Sequence, residues 1–399
     1  MKLYNLYCRA FQFALKYGMY ALNWDDPLFL RGPGSVSELA RLIKSRGLRR
    51  ILVVTDPGVT RLALPESFLR NLEEIGIFAA VYDRTSANPT IECVEEALKL
   101  YHKSNCEAIV AFGGGSPMDC AKLVGARVAR PSTPVGKMRG LLKVIKKLPP
   151  LFAVATTAGT GSEVTLAAVV LDQGSREKYA VNDPRLRPQV AVLDPALTVV
   201  LPPHITATTG MDALTHAVEA YIGRSNTKRT AAKALEATQL IFANLEIAYN
   251  DSVNMQAREN MLAASMAAGI AFTRAYVGNV HAIAHALGAL YNVPHGFANA
   301  VIMPYVLDFY GEAIHARLAD MADAAEIPGA TQAEKAKAFI AAIRGMNERM
   351  GIPAKFDCII ESDLPYIAKH ALREANPLYP VPVIMTKDDV MKIVKGLMA

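Results

Sequence analysis

Three of the chain's eight histidines fall within fifteen positions, in the stretch "HAIAHALGALYNVPHG" from His281 to Gly296. His281 and His285 are four residues apart in an Ala/Leu-rich run, so a helix would set both on one face. His295 follows Pro294, where that helix should have ended, and is expected in the loop beyond it. Upstream, "GMDALTHAVEAY" repeats the spacing with Asp212 and His216. A lone histidine is usually a core or surface residue. An Asp/His pair, a His/His pair and a third histidine together favour a metal site. The donors are oxygen and nitrogen without sulfur, which suits Fe²⁺, Zn²⁺, Mn²⁺ or Co²⁺ and does not select among them. Spacing alone nominates His281 and His285 equally.

Two glycine-rich turns carry a second chemistry. In "IVAFGGGSPMDCAK" an apolar run ends at Gly113-Gly114-Gly115, with Ser116 expected as a helix N-cap and Pro117 at the first helical position. Bare glycines let a phosphate approach the backbone, and the N–H groups of a helix start attract anions. "AVATTAGTGSEVT" repeats the device, with hydroxyls on Thr156, Thr157 and Thr160. Neither turn has the GxGxxG or GxxxxGK[ST] pattern, so spacing points only to a phosphate-bearing ligand. Asp56 closes "ILVVTD", where a carboxylate either binds ribose hydroxyls or serves a plain turn.

These residues need elements to hold them. "RRILVVTD", "AAVYD", "EAIVAFGGG", "LPPLFAVATT" and "PQVAVLDP" are short apolar runs separated by amphipathic helical patterns, which indicates a parallel sheet with right-handed crossovers. Beyond Pro203 the runs give way to long Ala/Leu/Met-rich helical stretches. The expected organisation is a helical extension over 1–25, an α/β Rossmann-like domain over 26–200 and an all-α domain over 201–399. With 399 residues, 52% hydrophobic and 20% charged, the chain is long enough for two cores and is an ordinary globular composition. A net charge of +6 without a dense basic and aromatic pattern argues against nucleic acid. Five scattered cysteines without a CxxC pair suit a reducing cytoplasm and argue against both a disulfide scaffold and a cysteine-ligated zinc site. "KMRGLLKVIKKLPP" reads as a solvated connection.

The N-terminal "MKLYNLYCRAFQFALKYGMYAL" is interrupted by Arg9 and Lys16 and reads as neither signal peptide nor transmembrane segment. Lys2, Asn5, Arg9, Gln12 and Lys16 fall in one narrow helical stripe, and the other faces are apolar. The expectation is that the wide apolar face packs on the protein's own body or on a subunit. Docking to a membrane surface or a shell protein is the alternative.

The motif order GGGSPMDCAK, TTAGTGSEVT, GMDALTHAVEAY, HAIAHALGALYNVPHG closely resembles the iron-containing (group III) alcohol dehydrogenases. The resemblance runs from about residue 26 and includes the ending "ANPLYPVP". It implies a dinucleotide-binding α/β domain, a helical metal domain and an active site in the cleft between them. Its metal ligands would be Asp212, His216, His281 and His295, with Fe²⁺ as the family's metal. His285 would lie beside the metal near substrate and nicotinamide, which overrules the spacing-based nomination. NAD contacts would include Asp56, Asn88, Gly114, Gly115, Ser116, Pro117, Met118, Asp119, Thr156, Thr157, Ala158, Gly159, Thr160, Thr165 and Lys178. Phe272 falls at a substrate-pocket position, and a homodimer or higher homo-oligomer is implied.

The implied reaction is reversible oxidation of a small primary alcohol to an aldehyde, with NAD as hydride acceptor and His285 relaying a proton. Within the same superfamily, zinc-dependent glycerol dehydrogenases and dehydroquinate synthases fit these motifs less well. A metallohydrolase would leave the two glycine-rich turns unexplained. A non-catalytic assembly component is suggested only by the N-terminal helix.

Overall fold

A computed structural model describes residues 2–22, 24–174 and 177–399. The chain divides into two compact units. One comprises Asn23–Leu201 with Val253–Leu262; the other comprises Met1–Leu22, Pro202–Ser252 and Ala263–Ala399.

The first unit is built on strands β1 (Leu28–Arg31), β2 (Arg50–Val54), β3 (Phe78–Tyr82), β4 (Ala108–Gly113), β5 (Gly140–Leu141), β6 (Leu151–Ala155), β7 (Ala167–Asp172), β8 (Glu177–Asn182) and β9 (Val190–Leu193). Six form one parallel sheet in the order β1-β9-β6-β4-β2-β3. β4, β6 and β9 are buried throughout, and β2 is buried from its second residue, because helices cover both faces. Hence these strands read as unbroken apolar runs instead of alternating. The chain runs from β2 to β3 and then crosses back over β2 to β4, so its winding direction reverses between β2 and β4. The carboxyl ends of β2, β4 and β6 stand side by side there, the place where such sheets bind ligands. A small second sheet, β5-β8-β7, includes an antiparallel hairpin of β7 and β8. The segment read as a solvated connection contributes β5, and Val144 N and Ile145 N donate to the Asp183 carboxylate, both at 2.9 Å.

The second unit is helical. Its axis is the helix Pro203–Ile222, buried continuously from Gly210 to Ile222. Gly210 lets Leu245 of the helix Lys228–Asn250 into contact, since a Cβ there would collide with the leucine side chain. The helices Asn279–Tyr291 and His295–Tyr310 pack in the same unit. Asn292, in the left-handed conformation, ends the first of them, and Pro294 precedes the second. No single helix among the described residues is long and apolar enough to cross a membrane.

The N-terminal helix Lys2–Gly18 is fastened to this unit by polar side chains, so the apolar face does not pack on the protein's own body, one of the two places expected for it. Arg9 donates to Val381 O (2.7 Å) and Pro382 O (2.9 Å), Gln12 to Pro377 O (3.2 Å) and Tyr379 O (2.7 Å), and Lys16 to Arg224 O (3.1 Å). Arg9, Gln12 and Lys16 of the polar stripe thus face inward, while Leu3, Leu6, Tyr7, Phe13 and Tyr17 face solvent. The carbonyls of the 377–382 segment need donors, and long polar side chains supply them where leucines would not.

Candidate active site

In the helical unit, Asp212 and His216 project from one face of the helix Pro203–Ile222, and His281 from the helix Asn279–Tyr291. His295 is not in a loop. It is the first residue of the helix His295–Tyr310. One ligand atom from each of the four lies within 4.8 Å of the others. Asp212, His216 and His281 are buried, and His295 is partly exposed. The rings of His216 and His281 stack at 4.5 Å, and that of Phe272 lies 4.1 Å from His216, nearly parallel to it.

The geometry decides which nitrogen His281 offers. Glu219, one face-turn beyond His216, is buried and accepts from Gly278 N (2.7 Å), Val280 N (2.7 Å) and His281 Nδ1 (2.6 Å). Nδ1 is therefore the ring nitrogen engaged by the carboxylate, which leaves Nε2 for the cluster. His281 Nε2 is buried with no hydrogen-bond partner among the described residues and lies 3.9 Å from Asp212 Oδ1. Burial alone would lower the His281 pKa; the hydrogen bond and charge of Glu219, with the more distant Asp212 and Glu374, raise it instead. Gly278 must be glycine, because a Cβ would stand 2.6 Å from Glu219 Oε1. Asn299, fully buried, donates to Asp212 Oδ1 (2.7 Å) and lies 3.2 Å from His295 Nε2. An oxygen and three imidazoles converging on one point, with a buried lone pair aimed among them, fit a divalent cation.

His285 is placed differently from the four. Its ring stacks on His295 at 5.0 Å, but its Nδ1 is 2.6 Å from Glu374 Oε1, which also accepts from Tyr379 OH at 2.7 Å. Spacing made it equal to His281; the carboxylate from the helix Leu364–Ala375 draws it away.

In the α/β unit, the two glycine-rich turns pack on each other. A Cβ on Gly114 would stand 3.1 Å from Thr157 Oγ1, and one on Gly115 2.9 Å from Thr160 Cγ2. The helix after the first turn begins at Gly115, with Gly114 as N-cap and no side-chain cap. Ser116 is therefore not the cap. It donates to Ala87 O (2.6 Å), drawing in the loop that carries Asn88, whose Oδ1 accepts from Lys178 Nζ (3.0 Å). Asp56 Oδ1 caps the helix Pro57–Arg61 through Gly58 N (2.7 Å) and Val59 N (3.0 Å), and its Oδ2 faces Gly113. Gly114, Gly115, Ser116, Asp119, Thr157, Ala158 and Thr160 keep partial exposure, as do Asp56, Asn88 and Lys178. Pro117, Met118, Thr156, Gly159 and Thr165 are buried and shape the turns from beneath.

Beneath them Asp119 and Thr165, expected as NAD contacts, join a polar cluster with Lys122, Ser162 and Glu163, which the sequence did not single out. Lys122 donates to Ser162 Oγ (2.9 Å), Thr165 Oγ1 (2.9 Å) and Ala167 O (2.8 Å). Asp119 accepts from Ser162 Oγ (3.2 Å) and Val169 N (3.0 Å). Burial pushes Lys122 down to about 8 and Glu163 up to about 7. Burial raises Asp119 as well, against the pull of Lys122. An uncapped helix start, bare glycines and threonine hydroxyls beside a reversal of sheet winding fit a dinucleotide phosphate.

Residues 27–195 match the family described as iron-containing alcohol dehydrogenase, and residues 206–398 match the C-terminal part of the same family. Alcohol dehydrogenase 4 of Saccharomyces cerevisiae is 38% identical over 371 residues, 92% of this chain and 96% of that protein. The chain belongs to the iron-containing alcohol dehydrogenase family. Another member, the NAD-dependent methanol dehydrogenase of Bacillus methanolicus, is 35% identical over 374 residues, 93% of this chain and 98% of that one. Among solved structures, 1,3-propanediol oxidoreductase superposes with a TM-score of 0.90 at 36% identity, covering 94% of this chain and 100% of that chain. The α/β and helical units are thus those of an alcohol dehydrogenase, and the chain is an enzyme of that family. Glu219 and Asn299 were missed in the sequence. The signal for Glu219 was present: Asp212, His216 and Glu219 follow the i, i+4, i+7 spacing of one helix face.

Proposed function

We propose that this enzyme reversibly oxidises a small primary alcohol to its aldehyde, using NAD and a divalent metal, with Fe²⁺ the metal of its family. The observation that carries the reading is the buried His281 Nε2, left facing Asp212, His216 and His295 because Glu219 engages the ring at Nδ1. These four would hold the cation. When bound, the cation would supply Lewis acidity toward an alcohol hydroxyl, and NAD would supply the hydride acceptor.

The chain's own residues do the rest. Glu219 fixes the His281 tautomer and ring, and Asn299 orients the Asp212 carboxylate. Phe272 holds the His216 ring flat and offers an apolar edge to a short alkyl chain. His285 takes the alcohol proton and passes it to Glu374, its 2.6 Å partner. The Gly114–Ser116 turn and the hydroxyls of Thr157 and Thr160 hold the pyrophosphate, Asn88 and Lys178 line its approach, and Asp56 receives the adenosine ribose.

The test is NADH formation from ethanol, propanol, butanol and 1,3-propanediol by purified protein stripped of metal and then reloaded with Fe²⁺, Zn²⁺, Mn²⁺ or Co²⁺. Turnover restored by at least one cation is expected. Equal turnover before and after stripping, or none with any alcohol or the matching aldehydes, overturns the reading.

A further inference from the structure

The helix Lys2–Gly18 is fastened to the helical unit by its polar stripe, so its contribution to the surface is the opposite face. There Leu3, Leu6, Ala10, Phe13 and Tyr17 recur at alternating spacings of three and four, and all five are exposed. A 3.5-residue period is the seam of paired helices, narrower than the stripe that beds a helix on a globular core. Tyr4, Tyr7 and Ala14 flank it, also exposed, and none of the eight carries a charge. Leu3, Tyr4, Leu6, Tyr7, Phe13 and Tyr17 are each more than half exposed. At about half of the ~200 Å² that one large side chain buries, they present on the order of 600 Å². That is the upper end for a monomer's largest apolar patch and most of the ~800 Å² per partner in a stable interface.

We propose that this seam pairs with the same seam of a second copy of the chain, the two helices crossing at Ala10. The face is neutral, so a second copy brings no like-charge repulsion. The small residues Ala10 and Ala14 lie between bulky ends. An antiparallel pair can therefore approach closely at Ala10 and set Leu3 and Leu6 against Tyr17 and Phe13. A lipid surface is the poorer match, because it draws on flanking cations, and Arg9 and Lys16 are already committed to backbone carbonyls of the body. The family match begins only at residue 27, and 94% of this chain already covers the whole of 1,3-propanediol oxidoreductase. The seam is an addition to the enzyme fold, separate from the chemistry.

The test is sedimentation velocity of the full chain and of Phe13→Glu over a range of concentrations. It is joined by oxidative cross-linking of Ala10→Cys in a Cys358→Ser background, because Cys358 is an exposed free thiol. The expected result is a sedimenting mass at least halved in Phe13→Glu, with alcohol turnover unchanged, and a covalent pair from Ala10→Cys. An unchanged mass in Phe13→Glu overturns the pairing, as does a fall in mass without the Ala10→Cys cross-link. Capture by phosphatidylserine vesicles that Phe13→Glu abolishes, at constant mass, gives the seam to lipid and overturns it too.

Discussion

Glu219 accepts the Nδ1 proton of His281 at 2.6 Å while standing on the same buried helix as Asp212 and His216. Glu219→Gln offers one acceptor oxygen where two now serve Gly278 N, Val280 N and His281 Nδ1, and its amide can donate to the ring. We expect metal affinity, measured by competition with a chelator, to fall about 10–100-fold while the protein stays folded. Affinity equal to wild type would show that the tautomer is set by something else.

Removing histidines should separate the cluster from its neighbour. His281→Ala and His295→Ala each take away one of the four convergent donors, so bound metal and turnover should drop together. His285→Ala should keep its metal, slow turnover and alter the pH profile, because its Nδ1 is engaged by Glu374. Metal analysis of the three variants reads this directly, and loss of metal from His285→Ala with retention in His295→Ala would reverse the assignment.

Asp56 has two jobs that substitution can pull apart. Its Oδ1 caps a helix, and its charge would repel the 2′-phosphate of NADP⁺. Asp56→Ser keeps a capping oxygen and removes the charge, so the NAD⁺ preference, read as the ratio of kcat/KM for the two cofactors, should relax without loss of stability. Asp56→Ala should relax it equally and also cost about 0.5–2 kcal/mol in unfolding free energy. A ratio indifferent to both changes would leave Asp56 a cap alone.

The buried carboxyl of Glu163 makes a prediction about pH. Burial raises its pKa from 4.5 to about 7, so the folded protein binds this proton more tightly than the unfolded chain does. That contribution is complete below the ordinary carboxylate value and is lost as pH rises through the folded value. Glu163→Gln lacks it. From about pH 5 to pH 8 the melting temperature of Glu163→Gln should therefore gain on wild type, by on the order of a few °C. A difference that is flat or shrinks over that range would place the titration elsewhere.

The strands that hold the nucleotide turns were legible because they are buried on both sides, and unbroken apolar runs such as "ILVV" and "AIVAF" survive in the sequence. β1 was not, since "LFLR" is short and partly exposed at a sheet edge. The β7–β8 hairpin was also missed: its alternation is written partly in alanine, a weak strand former. In the candidate site, Asp212 and His216 showed themselves by spacing. Choosing between His281 and His285 required Glu219 and Glu374, which lie 62 and 89 residues away from them in sequence. The inverted N-terminal helix was hidden for a related reason: a polar stripe reads as solvent-facing until the carbonyls it must satisfy are in view.

Gly296, where a Cβ would collide with Thr208 O, and Gly278, pressed against Glu219, let three helices meet through backbone fit. The walls around the four donors are raised by the protein's own contacts, in contrast to small domains that fold only around their metal. A cation held there would be a guest and not a keystone. We expect it to leave and another to enter without the chain unfolding, so that the ion carried follows supply as much as affinity.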